Sequence, residues 1–167
     1  PYLAFEYLAA DSLSIIIRDY GPAPAADGLR LTRQLAAALD TAATSQVLHG
    51  ALHPRDVLIA QEQVRLTGLG VAQCLEHAGL AVPVRRPYTA PERSQGGGWS
   101  TRADVYGLAA VVHELMWGRR IAGAGPETAA ALTELPGGRL DLLQATFARA
   151  LAVDRAEADP RSLLHTV

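Results

Sequence analysis

The sequence contains no lysine and no asparagine, so every cationic side chain other than histidine is an arginine. A coding bias against A-rich codons accounts for the absence, but the chemical consequence stands. No mechanism that needs a lysine ammonium or an asparagine amide is completed by these 167 residues alone. Cys74 is the single cysteine, which excludes an internal disulfide and makes a poor metal site. No apolar run approaches the roughly 20 residues that span a bilayer. The start, PYLAFEYLAADSL, has none of the regions of a signal peptide. Excess charge is lacking too: 15 basic and 17 acidic residues give a net −2, no electrostatic footprint for nucleic acid. A cytoplasmic setting is the expectation, with any membrane anchor elsewhere in a parent protein.

What is there suffices for one domain: 49% of the residues are hydrophobic, enough for a core at this length. The chain has no initiator methionine and starts in a strand-like run, so it reads as a fragment of something longer. Alternation predicts a strand over 2–8, and Asp11 and Ser12 suit the cap of a short helix through Ile17. GPAPAADG is a loop. After Asp27, a stripe of Leu31, Leu35, Ala38, Leu39 and Ala42 predicts a helix ending near Ser45. Strands at Val57–Ala60 and Val64–Thr67 around QEQ read as a hairpin. From Gly68 to Pro91 little regular structure is expected beyond a helical turn near Cys74. Thr101 suits the cap of a helix over Arg102–Trp117, with Asp104 in its first turn; apolar on most sides, this helix is expected to be central. Gly118 ends it. Further helices are expected over Glu127–Leu135, Arg139–Ala152 and from Pro160.

The stretch HGALHPRDVLI, residues 49–59, combines a polar turn with three β-favouring apolar residues. Downstream stand VRLTGLGVAQ, then RRPYTAPER with Ala90-Pro91-Glu92, then WSTRADVYGLAAVVHELMWGRR. Together, in this order, these four segments resemble the C-terminal lobe of the protein kinase superfamily, in its bacterial serine/threonine branch. They resemble the catalytic loop, the metal-binding turn, the Ala-Pro-Glu closure of the activation segment and the central F helix. The opening FEYLAADSL is similar to the hinge. The resemblance implies a mainly α fold, a helix bundle around the F helix with a small β hairpin. It also implies that residues 1–167 are the large lobe, with the N-terminal lobe outside this chain.

Active members of that family use ATP and Mg²⁺ to phosphorylate serine or threonine, and such phosphoryl transfer rests on positioning and electrostatics. On the resemblance, Ala51 stands where the catalytic Asp would accept the substrate proton, and Gly50 where the preceding arginine pairs with phosphate. His53 replaces the loop lysine. Asp56 replaces the metal-binding Asn and is a candidate Mg²⁺ ligand, since a carboxylate is a hard oxygen donor. Gly68 replaces the metal-anchoring Asp. His49, Leu69 and Gly70 keep the structural parts of the loop and turn. Asp104 matches the F-helix Asp that accepts loop amides. Glu92 would pair with a C-terminal arginine, which here is absent or displaced to Arg155 or Arg161. Glu6, Tyr7 and Leu8 fall where the hinge meets nucleotide.

The resulting expectation is a pseudokinase-like regulatory or scaffold module with an unidentified protein partner, binding ATP weakly if at all through the N-terminal lobe. Two rivals stand beside it. One is a divergent kinase that uses Asp56 with ATP and Mg²⁺. The other is kinship with small-molecule phosphotransferases whose loops read His-Gly-Asp-Leu-His-Pro. Simpler readings also stand: Asp56 as a turn carboxylate, His53 as a solvated loop residue, His113 as a core histidine, and Cys74 as a semi-buried thiol. The pair Arg85-Arg86 reads as a solvated surface pair or as a reader of acidic or phosphorylated peptide.

Overall fold

The computed structural model describes residues 4, 6–61, 63–123 and 125–152. Its elements are β1 (Asp11–Ser12), α1 (Leu13–Tyr20), α2 (Ala25–Thr44), a 3₁₀ turn (Pro54–Asp56), β2 (Val57–Ala60), β3 (Gln63–Leu66), α3 (Val71–His77), α4 (Pro91–Ser94), α5 (Thr101–Trp117), α6 (Pro126–Ala130) and α7 (Leu140–Ala150). The fold is mainly helical with one small antiparallel sheet. The strand expected over 2–8 is not seen at Glu6, Tyr7 and Leu8, which have no regular structure; the rest of that stretch lies partly outside the described residues. The helix expected from Pro160 lies wholly outside them.

α5 is the keel. Thirteen of its 17 residues are buried, the pattern of a helix enclosed on all sides. Gly118, at φ 65°, closes it by donating its N–H to the Glu114 carbonyl at 2.8 Å, which suits glycine at a left-handed cap. α2 lies along it and buries Leu31, Leu35, Leu39 and Ala42 at helical spacing. The approach is close at Gly28, where an added Cβ would fall 2.0 Å from Met116 Sδ. α2 begins at Ala25, two residues earlier than Asp27, because Pro24 presets the turn and Asp27 then sits inside the first turn.

The sheet runs β1-β2-β3. β2 and β3 pair with Val57 opposite Leu66 and Ala60 opposite Gln63. Gln61 takes the positive φ, 48°, that so short a hairpin demands. Thr67 extends the ladder by donating its N–H and hydroxyl to the Asp56 carbonyl. α2 covers the open edge: the Val64 N–H donates to Gln34 Oε1 at 2.8 Å.

Other helices differ from the sequence expectation as well: α1 runs three residues past Ile17 to Tyr20, and α4 has no counterpart in it. α3 is a full seven residues, started by Gly70 at φ 73°. α6 ends at Ala130, five residues short of Leu135. Beyond it, backbone carbonyls take side-chain donors in place of helical amides: Arg119 Nη2 donates to the Ala131 carbonyl, and Trp117 Nε1 to the Thr133 carbonyl and hydroxyl.

Candidate functional site: a loop held in shape by Asp104

Residues 49–56 form a loop pinned from below by α5. The Asp104 carboxylate is 3% exposed and accepts two backbone N–H bonds, from His49 at 2.9 Å and from Gly50 at 2.6 Å. Burial pushes this carboxyl up from its ordinary value, against the pull of the two amides and of His49. Thr101 begins the helix, but neither it nor Ser100 caps it with a side chain. Asp104, expected near the helix start, serves the loop.

His49 is buried and ties the loop to the turn after β3. Its Nε2 lies 3.0 Å from the Thr67 carbonyl, and its Nδ1 faces the Ala51 N–H at 3.4 Å. These partners place the ring proton on Nε2, which donates to Thr67, while Nδ1 accepts. Gly68 has φ 82°, and a Cβ there would come within 3.3 Å of His49 Nε2. Leu69 packs against the main core, and Gly70 N–H donates to the Leu48 carbonyl. Ala51 itself is 7% exposed, a methyl group with no proton to exchange.

Asp56 has its partner: Arg85 Nη1 donates to Asp56 Oδ2 at 2.5 Å, a charge-assisted contact, and reaches the Ala51 carbonyl at 3.5 Å. His49 Nε2 is farther, 3.7 Å from the same oxygen. Arg85 is thus no merely solvated residue, whereas its neighbour Arg86 is exposed. A cavity of about 80 Å³ remains between loop and turn, lined among others by His49, Ala51, Asp56, Gly68, Val71 and Arg85. Asp56 contributes one carboxylate already on a guanidinium, and among the described residues no three His, Cys, Asp or Glu side chains converge.

His53 is half-buried. Its Nδ1 accepts from the Arg55 N–H at 3.0 Å, capping the 3₁₀ turn, and its ring meets Tyr88 edge-on at 4.6 Å. Burial lowers its pKa from the ordinary value. Tyr88, 1% exposed, donates its hydroxyl to the Glu114 carboxylate on α5; burial first, then that bond, raises the phenol pKa. Ala90 is buried at the start of α4 and Pro91 takes its first turn. The two arginines considered as partners of Glu92, Arg155 and Arg161, lie outside the described residues. Glu6 and Tyr7 are exposed, Tyr7 to 90%, and Leu8 is half-buried.

A family model described as protein kinase domain matches residues 1–145. The chain belongs to the protein kinase domain family. It is 33% identical over 123 residues to the serine/threonine-protein kinase PknD of Mycobacterium tuberculosis, covering 70% of this chain and 18% of that protein. With the serine/threonine-protein kinase PrkC of Bacillus subtilis it shares 28% over 123 residues, 71% of this chain and 19% of that one. The crystal structure of the M. tuberculosis PknI kinase domain superposes with a TM-score of 0.68 at 26% identity, covering 95% of this chain and 61% of that chain. The chain therefore spans about a fifth of the length of these curated relatives.

Three features of this kinase-family lobe have no counterpart in the sequence reading. The first is the Arg85–Asp56 pair. The second is Trp99, whose indole fills the space a side chain at residue 50 would take: Gly50 has φ 67°, and its Cβ would lie 1.9 Å from the ring. Arg93 stacks on that indole at 3.9 Å and pairs with Glu76 of α3 at 3.0 Å. The third is the Tyr88–Glu114 bond. All three join segments far apart in sequence, so no local spacing signals them. Cys74 is exposed, not semi-buried, because α3 turns only Ala72 fully inward.

Proposed function

We propose that this lobe is a catalytically impaired, pseudokinase-like module that regulates or scaffolds through its surface, with its N-terminal lobe elsewhere in the parent protein and in a cytoplasmic setting. The observation that carries the reading is the Arg85 guanidinium on Asp56. Asp56 is the one carboxylate left at the positions that the family uses for base and metal, and it is already neutralised. Ala51 and Gly68 supply no substitute. Loss of a general base costs about 10²–10⁴ in rate, and loss of one electrostatic stabiliser about 10²–10³. Their joint loss leaves little for ATP chemistry. The small-molecule phosphotransferase reading is set aside in favour of the protein-kinase branch.

The deciding experiment is ATP binding by the intact parent protein, with and without Mg²⁺, read by thermal shift and followed by phosphotransfer from labelled ATP. No Mg²⁺-dependent stabilisation at millimolar ATP, and no transfer, is the expected result. Stabilisation that needs Mg²⁺ and vanishes in Asp56→Ala would sink the reading and favour the divergent serine/threonine kinase.

A further inference from the structure

Beside the loop lies a groove of about 510 Å³ lined by His53, Arg55, Asp56, Val84, Arg85 and Arg86, a volume within the range of about 300–1,000 Å³ typical of ligand clefts. Its wall carries three guanidiniums and a single carboxylate. Arg85 and Asp56 neutralise each other. That leaves Arg55 and Arg86, both exposed, and neither side chain has a partner among the described residues. Their backbones are nonetheless fixed. Arg55 sits in the 3₁₀ turn capped by His53. Arg86 follows Arg85, whose N–H donates to Thr89 Oγ1 at 2.8 Å and whose carbonyl accepts from the Tyr88 N–H at 2.8 Å. Two cationic forks with no partner among the described residues are thus held on one groove, in a chain whose net charge is −2.

We propose that this groove binds an acidic segment of a partner polypeptide, its oxyanions held by Arg55 and Arg86. The guanidinium fork matches carboxylate and phosphoryl oxygens in paired hydrogen bonds. Val84, 51% exposed, offers an apolar shoulder beside the charges, which suits a peptide with mixed side chains. A nucleic acid would call for a longer basic stripe than Arg55 and Arg86 provide. The site is separate from the position of the family's loop arginine, which is Gly50 here and covered by Trp99. It holds whether or not the lobe transfers phosphate.

The test uses the intact parent protein and three short fluorescein-labelled peptides of glutamate and serine: the parent peptide, its phosphoserine form and a glutamine-for-glutamate form. Fluorescence anisotropy is expected to show binding of the two charged peptides and not of the glutamine peptide. Combining Arg55→Ala with Arg86→Ala should weaken that binding about tenfold or more, the scale of one charge-assisted contact. Melting temperature should hold, since both side chains are exposed. The Arg55→Lys and Arg86→Lys pair keeps the charge, loses the fork and should fall between. Tighter binding of the phosphopeptide would assign the oxyanion to phosphoryl groups, and equal binding to carboxylates. Binding of the glutamine peptide as tight as that of the charged ones, no binding of either charged peptide, or undiminished binding by the double variant overturns the proposal.

Discussion

Trp99 stands where a side chain on Gly50 would have to go: a Cβ at residue 50 would lie 1.9 Å from the indole. The two residues are 49 positions apart, yet a side chain at 50 requires the indole to move. A glycine at φ 67° is also one that L side chains occupy at a cost of about 1–2 kcal/mol.

Gly50→Arg alone should therefore destabilise the intact protein by about 2–5 kcal/mol, from overpacking and backbone strain together. Pairing it with Trp99→Ala should recover part of that loss, because the clash is gone and the strain remains. Urea unfolding of the two single variants and the double variant measures the coupling. A Gly50→Arg protein as stable as the wild type would refute the packing described.

Asp104→Ala removes the acceptor of two buried loop amides. The expected cost is about 3 kcal/mol, since hydrogen bonds to a charged acceptor contribute roughly 1.5–3 kcal/mol each and relief of carboxylate burial offsets part. Asp104→Asn keeps one acceptor oxygen and should fall between. Hydrogen exchange at the His49 and Gly50 amides is the specific readout. Protection that survives in Asp104→Ala would mean that another group holds the loop.

His113 gives a pH dependence with a definite sign. It is 3% exposed, its Nδ1 lies 2.8 Å from the Arg119 carbonyl, and its ring stacks on Trp117 at 5.2 Å and meets Phe147 at 6.1 Å. Burial is the largest cause lowering its pKa below the ordinary 6.5. The folded state thus binds this proton less readily than the unfolded chain does. The stability it contributes is present above about pH 6.5 and is lost as pH falls toward the depressed value, at no more than about 1.4 kcal/mol per pH unit. His53 shifts in the same direction and adds to the slope. Unfolding free energies measured from pH 7.5 to 5 should fall less steeply in His113→Gln than in the wild type. Parallel slopes would exclude His113 as a contributor.

The parts of this molecule that were legible in the sequence are those with a local period or an ordered motif. β2 and β3 could be read from Val57–Ala60 and Val64 with a polar turn between. α5 could be read from apolar residues on nearly every side of one helix. Ala90-Pro91-Glu92 and the loop at His49 located the family. The illegible parts depend on pairings across the fold. Nothing near Asp56 in sequence announces Arg85, 29 residues on, and nothing near Glu114 announces Tyr88. α6 ends before Leu135 although the alanines and Leu132 favour helix, because Trp117 and Arg119 claim its downstream carbonyls. α3 was underestimated because a seven-residue helix opened by a glycine has too few positions to show a period.

The anchoring of residues 49 and 50 through main-chain amides has an evolutionary consequence. A carboxylate that grips peptide N–H groups is indifferent to the side chains those peptides carry. A substitution at 51 can alter the chemical repertoire of the loop while its contour persists, because the grip comes from Asp104 on a helix that the core already fixes. Form and reactivity are encoded at separate positions, so a lineage can shed one and inherit the other.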